Sequence, residues 1–185
     1  MIRKHLFAAI ALGLGAVGAV QAQDYDDRWY VAPYAGYYNN DSDRLTDDGT
    51  LLLGLGIGRY LAPNTSIDVF VDRTQRGSND AGRLVYGSDD GIDSTMIGAS
   101  LRYYFGEAEL QPYVMAGAGI SNHRNGLEDG WDPAIQIGGG LQYAFNADTK
   151  FRAELAARHD FDGDSTPGGD NFTDVMLNLG VTIAP

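Results

Sequence analysis

Few residues in this chain are of types that carry chemistry. There is no cysteine, and the three histidines are His5, His123 and His159. His159 is followed by Asp160, a base beside an acid, but no serine stands where it would form a nucleophile next to them. Nucleophile, base and orienting group cannot be assembled from this spacing, so no enzyme is expected. The run Asp160-Phe161-Asp162-Gly163-Asp164-Ser165 begins like a calcium loop. Such a loop needs glycine at its sixth position and a bidentate glutamate at its twelfth. Those positions are Ser165 and Asn171, so a solvated acidic loop is expected, with no metal and no cofactor. Gly13-Leu14-Gly15-Ala16-Val17-Gly18 has dinucleotide-loop spacing, but it follows no strand and opens no βαβ unit.

What remains is a set of four charged side chains, Asp68, Arg102, Arg152 and Glu154. Each stands in a segment of alternating character, on the parity occupied by small or polar residues. A lone charge in a low-dielectric interior is expensive, whereas a paired one is tolerable. The four are therefore expected to form one network, with each arginine against an acid. Such a network fits two roles, a plug that stabilises an interior or a gate across a narrow path.

The segments themselves are unusual. In the first, Trp29, Val31, Pro33, Ala35 and Tyr37 alternate with Tyr30, Ala32, Tyr34, Gly36 and Tyr38. In the second, Leu51, Leu53, Leu55 and Ile57 alternate with Leu52, Gly54, Gly56 and Gly58. Six more follow, and the spacing predicts strands near 28–38, 50–61, 65–76, 92–105, 112–121, 132–145, 150–160 and 172–183. Period 2 is the strand signal. Segments of this length can cross a bilayer when tilted. The alternation alone also suits a soluble sandwich or a soluble periplasmic barrel.

Composition and connections narrow the choice. The chain has 185 residues, 13 basic and 25 acidic side chains and a formal charge of −12, which argues against a nucleic-acid partner. Residues 1–22 read as a secretory signal peptide: Arg3 and Lys4, an apolar stretch from Leu6 to Val20, then small residues at Val20 and Ala22. The domain proper is expected over 23–185. Short links at 61–64, 106–111 and 146–149 alternate with long polar ones at 39–49, 77–91, 121–130 and 162–171. Short turns on one side and long loops on the other mark an outer-membrane barrel. Trp29, Phe105, Tyr143, Phe145 and Phe151 fall at the short-turn end, and Tyr37 and Phe172 at the other, with Trp131 just before its strand. These are the expected interfacial girdles. The fold class expected is all-β, an eight-stranded antiparallel up-and-down transmembrane β-barrel in the cell outer membrane.

Trp29-Tyr30-Val31-Ala32-Pro33-Tyr34-Ala35-Gly36-Tyr37 resembles the opening strand of the OmpA-type outer-membrane barrels, with Pro33 typical of their OprF-like members. Gln142-Tyr143-Ala144-Phe145 and Met176-Leu177-Asn178-Leu179-Gly180-Val181 resemble the family's sixth and eighth strands. The resemblance implies a charged lumen cluster that blocks or gates a narrow water path, with Asp68, Arg102, Arg152 and Glu154 at its positions. Gln142 stands where the family has an inward acid, so the charge balance differs. It implies lipid bilayer, lipopolysaccharide and the barrel assembly machinery as partners. Many members continue into a peptidoglycan-binding domain, and none is expected in this chain, which stops at Pro185. The function expected is a structural outer-membrane protein with at most a narrow gated pore. The alternative is a surface adhesin or receptor module using the long loops.

Overall fold

The computed structural model describes residues 27–39, 49–76, 92–124, 129–161 and 171–185. The leader at 1–22 and most of the calcium-like run lie outside the described residues, as do parts of the long links. The described residues form eight strands: β1 (Trp29–Asn39), β2 (Gly49–Ala62), β3 (Thr65–Arg76), β4 (Ile92–Tyr104), β5 (Leu110–Arg124), β6 (Asp129–Ala144), β7 (Thr149–Asp160) and β8 (Phe172–Ile183). Each pairs antiparallel with the next, and β1 pairs with β8 to close the barrel.

The period-2 pattern becomes two surfaces. Inward residues are buried, among them Tyr30, Leu52, Asp68, Met96 and Met176. Outward residues are large and apolar, with Leu53 56% exposed, Ile137 64% and Leu179 63%. Apolar exposure on this scale all round a wall needs a covering, and in this architecture the covering is lipid.

The lumen is filled through cross-strand pairs of an aromatic with a glycine. Tyr30 lies opposite Gly58, Tyr34 opposite Gly54, Phe70 opposite Gly98 and Tyr113 opposite Gly140. A Cβ at Gly140 would lie 2.8 Å from the Tyr113 ring, and one at Gly98 would lie 2.9 Å from Phe70. A Cβ at Gly54 would overlap the Tyr34 ring outright. The absent side chain is the space the ring uses, which is how an eight-stranded interior reaches close packing.

The short-turn end is tightly made. Only Pro63 and Asn64 separate β2 from β3, with a bulge between Tyr60 and Ala62. Gly106 takes φ +81° in the β4–β5 turn, a left-handed conformation that glycine adopts without Cβ strain. In the β6–β7 turn the Asn146 carboxamide oxygen accepts from the Asp148 and Thr149 amides at 2.9 and 2.7 Å. That turn also holds the closing seam. Asp148 accepts from the Arg28 side chain at 2.9 Å before β1, and its carbonyl accepts from the Ala184 amide at 2.8 Å after β8.

Two expectations are corrected. The link at 121–130 is not long, because β5 runs to Arg124 and β6 begins at Asp129. The register pairs Asn122 with Trp131 and Arg124 with Asp129, which places Trp131 inside its strand. A polar ladder beyond the hydrocarbon needs no apolar face, so it reads as loop in a hydropathy pattern. Phe172 is not an interfacial aromatic. It is fully buried and shares the inward parity of Asp174 and Met176. Strand periodicity outranks the position of a ring at a strand end.

Leu55, Leu101 and Leu179 point outward from the middle of their strands. Arginine at any of them should cost about 2–4 kcal/mol in refolding into lipid vesicles. Unchanged refolding of all three variants would refute a lipid-facing parity. Gly54→Ala should destabilise by about 1–3 kcal/mol through overpacking. Gly56→Ala, whose added atom finds its nearest neighbour at 3.5 Å, should be tolerated in the same assay.

Candidate functional site

The inward faces of β3, β4 and β7 bring Asp68, Arg102, Arg152 and Glu154 together near the short-turn half of the lumen. Arg102 is the hub. Its Nη1 donates to Asp68 Oδ2 and to Ser100 Oγ, the latter at 3.2 Å. Its Nε donates to Glu154 Oε2 at 3.1 Å. Tyrosines complete the acids: Tyr30 donates to Asp68 at 3.1 Å and Tyr113 to Glu154 at 3.0 Å. All four charged side chains are buried. Carboxylates that accept from a guanidinium and a phenol have much of their lost hydration replaced.

Arg152 is held differently. Its Nη1 stands 3.7 Å from Asp68 Oδ1, and neither atom has a hydrogen-bond partner among the described residues. Asp68 is committed first to Arg102. Arg152 therefore meets a counter-charge without a hydrogen bond to it, which is costly for a buried donor.

Below this network lies a floor. Lys150 Nζ donates to the Tyr60 hydroxyl at 2.9 Å, and that hydroxyl donates to Gln142 Oε1 at 3.3 Å. Tyr104 and Ser66 share a hydrogen bond at 3.2 Å, and the Tyr60 and Tyr104 rings lie 5.7 Å apart. Gln142 thus supplies hydrogen bonds in this layer and no charge.

Above it lies a second network that the sequence reading did not single out. Arg158 grips Asp72 with two bonds, Nη1 to Oδ1 at 3.1 Å and Nη2 to Oδ2 at 2.6 Å. Gln136 Oε1 accepts from the same Nη2 at 3.2 Å, and the Tyr34 hydroxyl donates to Asp72 at 3.2 Å. β3 and β7 are four strands apart in either direction round the barrel, so this pair spans its diameter. Higher still, Tyr38 donates to Asp174 at 2.7 Å, with the Arg158 guanidinium 5.6 Å from the Tyr38 ring centre. The signal was present in parity: Asp72 shares the inward face with Asp68, and Arg158 with Arg152 and Glu154.

The outward rings sort by end. Trp29, Phe105, Tyr143, Phe145 and Phe151 are exposed round the short-turn end, joined by Tyr103, and Tyr37 and Trp131 are exposed at the other. Edge contacts link Phe145 to Phe151 at 5.9 Å and Tyr103 to Phe105 at 5.2 Å. His159 and Asp160 follow one another on a strand and so face opposite ways. The histidine Nδ1 meets Thr173 Oγ1 at 2.9 Å, while Asp160 is buried in the lumen. Among the described residues no three His, Asp or Glu side chains are grouped to hold a metal.

Solved structures share this architecture at low identity. The neisserial surface protein NspA superposes with a TM-score of 0.65 at 18% identity, over 85% of this chain and 97% of that one. The N-terminal β-barrel domain of Pseudomonas aeruginosa OprF gives 0.53 at 18% identity, over 86% and 100%. AlkL in lipid bilayers gives 0.51 at 18% identity, over 90% and 94%. No curated protein matches the chain by sequence. The profile of the outer membrane protein beta-barrel domain matches residues 7–183, nearly the whole length. A closed antiparallel barrel with an apolar exterior and a filled polar lumen is the form such a domain takes, and this chain belongs to the outer-membrane protein β-barrel family and resides in the outer membrane.

Proposed function

We propose that the chain is a structural, non-catalytic outer-membrane protein whose lumen is closed by its two ion networks, leaving at most a narrow gated path. One observation carries this reading. The Arg102 hub and, above it, the Arg158–Asp72 pair reach across the lumen, and the cavity beside the hub, lined by Tyr34, Arg102, Tyr113, Arg152, Glu154, Asn178 and Gly180, is only about 30 Å³. That cavity has room for about one water. In this reading the short turns face the periplasm and the long links face the exterior. Lipopolysaccharide surrounds the outer half, and the barrel assembly machinery inserts the chain.

The second reading, a surface-binding module, is favoured by the β5–β6 hairpin. Among the described residues the ladder of Asp129 to Asp132 is with β5 alone, while the β6–β7 ladder stops at Ala134 and Asp160 and the Pro133 carbonyl still accepts from the Phe161 amide at 2.9 Å. Among the described residues the β6 edge of the hairpin thus stands beyond β7, as a recognition surface would.

Removing Arg102 leaves two buried acids without their shared cation, and such a break costs about 3–5 kcal/mol. Arg102→Ala should show that loss in urea unfolding from lipid vesicles, together with raised conductance in planar bilayers over a nearly silent wild type. Arg152→Ala should lose markedly less stability, since Arg152 makes no hydrogen bond to an acid. Equal stability of Arg102→Ala and wild type, with no conductance in either, would remove both plug and gate. For topology, an impermeant thiol label on intact cells should reach cysteine at Asn79 or Gly168, both outside the described residues. It should not reach cysteine at Ala147, and the reverse pattern would invert the orientation.

A further inference from the structure

The short-turn half of the lipid-facing wall carries one charge. Among the described strands, every outward side chain from the short turns to mid-height is uncharged except Arg59 of β2. Arg59 lies three residues inside the end of its strand, opposite Trp29 on one side and Ile67 on the other. A cation in such a wall is tolerated where its long side chain reaches the headgroup layer. The other cations at this end are engaged within the protein. Arg28 donates to Asp148 at 2.9 Å, and Lys150 points inward and donates to the Tyr60 hydroxyl at 2.9 Å.

Arg59 is loosely held. Among the described residues its side chain makes one hydrogen bond, from Nη2 to Asp27 Oδ2 at 3.5 Å, and neither residue has another ion-pair partner there. Its Nε is buried and makes no hydrogen bond to the described residues. The two side chains keep 35% and 68% of their surface exposed. A long, exposed pair of this kind contributes little to folding. The guanidinium carbon stands 5.6 Å from the centre of the exposed Trp29 ring, a cation–π contact that fixes it beside the indole. Asp27 comes two residues before β1 begins at the short-turn end. The acid therefore lies toward the end of the barrel and the base toward its middle.

Base and acid in that order form a dipole with a direction, and one lipid headgroup is its complement. A guanidinium has five N–H donors in a fork that matches phosphate. A primary ammonium has three N–H donors and no acceptor, which suits a carboxylate. In phosphoethanolamine the phosphate sits next to the glycerol and the ammonium farther out, the order of Arg59 and then Asp27. A phosphocholine headgroup has no N–H for the acid, and the aromatic face that would receive a quaternary ammonium is occupied by Arg59. An anionic headgroup would find an acid beside its base. The next row of the wall toward mid-height is Val31, Ile57 and Val69, paired across β1, β2 and β3 and all exposed, an apolar surface for acyl chains. Trp29 stands at the height where aromatic rings mark the membrane interface.

We infer that Asp27, Trp29 and Arg59 form a binding site for phosphatidylethanolamine, with the lipid phosphate on Arg59, its ammonium on Asp27 and its acyl chains along Val31, Ile57 and Val69. The site stands whether or not the lumen conducts. Trp29 and Trp131 are the chain's two tryptophans, so Trp131→Phe leaves Trp29 as the single reporter. The test folds the full chain carrying that change into phosphatidylcholine vesicles doped, at equal mole fraction, with phosphatidylethanolamine, phosphatidylcholine or phosphatidylglycerol brominated on the acyl chain. Bromine quenches a tryptophan that it touches. Trp29 quenching should show phosphatidylethanolamine enriched about threefold over phosphatidylcholine, the range of one exposed ion pair, with phosphatidylglycerol below phosphatidylethanolamine. Asp27→Asn should bring phosphatidylethanolamine down to the phosphatidylcholine level and raise phosphatidylglycerol, because Arg59 is then a cation without its acid. Arg59→Gln should abolish the preference for phosphatidylethanolamine. The Trp131 reporter in Trp29→Phe, at the other end of the wall, should show no such preference. Folding of each variant is checked by heat-modifiable gel mobility; if Arg59→Gln fails it, Asp27→Asn decides. Equal quenching of Trp29 by the three lipids overturns the inference, and so does a preference for phosphatidylglycerol, which leaves only a lone cation. The same holds for an unchanged preference in a folded Asp27→Asn or Arg59→Gln, or an equal preference at Trp131.

Discussion

In hydrocarbon no water is available to an unpaired amide, so every backbone N–H and C=O must find its partner inside the protein. For a chain of strands this forces β1 onto β8, and closure forces everything else. Once the wall is round, the residues of one parity share a narrow interior whether or not they suit one another. Charges on that parity cannot reach bulk solvent and have to be matched there. The interior is a consequence of the backbone requirement, and the side-chain chemistry follows from the interior.

The matching is done both along the wall and across the barrel. Arg102 on β4 holds acids on β3 and β7, and Arg158 on β7 holds Asp72 on the opposite side. Such struts tie distant strands together, so breaking one loosens the whole circumference and not a single hairpin. Their charge-assisted bonds are reinforced by Tyr30, Tyr34 and Tyr113. Those rings fit because the strand opposite each carries glycine. A hydrophobic filling would be as compatible with closure, since a buried ion pair gives no assured net stability.

The strand count, the inward parity and the outward aromatics at the short-turn end were legible in the sequence, because period 2 maps residue number directly onto barrel face. Asp68, Arg102, Arg152 and Glu154 were legible as inward for the same reason. Which cation meets which acid was not. The Arg158–Asp72 bond depends on strand stagger and on the diameter, neither of which is local to any segment. Phe172 was misplaced because a ring at a strand end suggested an interface, although counting back from Asp174 already put it inside. The β5–β6 extension was hidden because Asn122, His123 and Arg124 form a ladder where no lipid demands an apolar face.

Proline shows how the wall concentrates its weakness at one seam. Three prolines lie in the described strands, Pro33, Pro112 and Pro133. Pro112 stands where the β4–β5 ladder has just ended at Tyr104↔Tyr113, and its carbonyl still accepts from the Phe105 amide at 2.8 Å. Pro133 stands one residue beyond the β6–β7 ladder, and its carbonyl accepts from the Phe161 amide at 2.9 Å. Both sit where the lost donor removes no rung, the position in which sheets tolerate proline. Pro33 instead lies in a gap inside the β1–β8 ladder, with rungs at Val31 and Tyr34 on either side. Val181 and Thr182 stand across the gap, and the Tyr34↔Gly180 rung closes it from above. A bilayer-spanning wall makes an unpaired amide expensive everywhere, and proline is the residue that interrupts a ladder without leaving one. The seam therefore loses two rungs without stranding an amide at Pro33, and the rungs above and below keep β1 on β8.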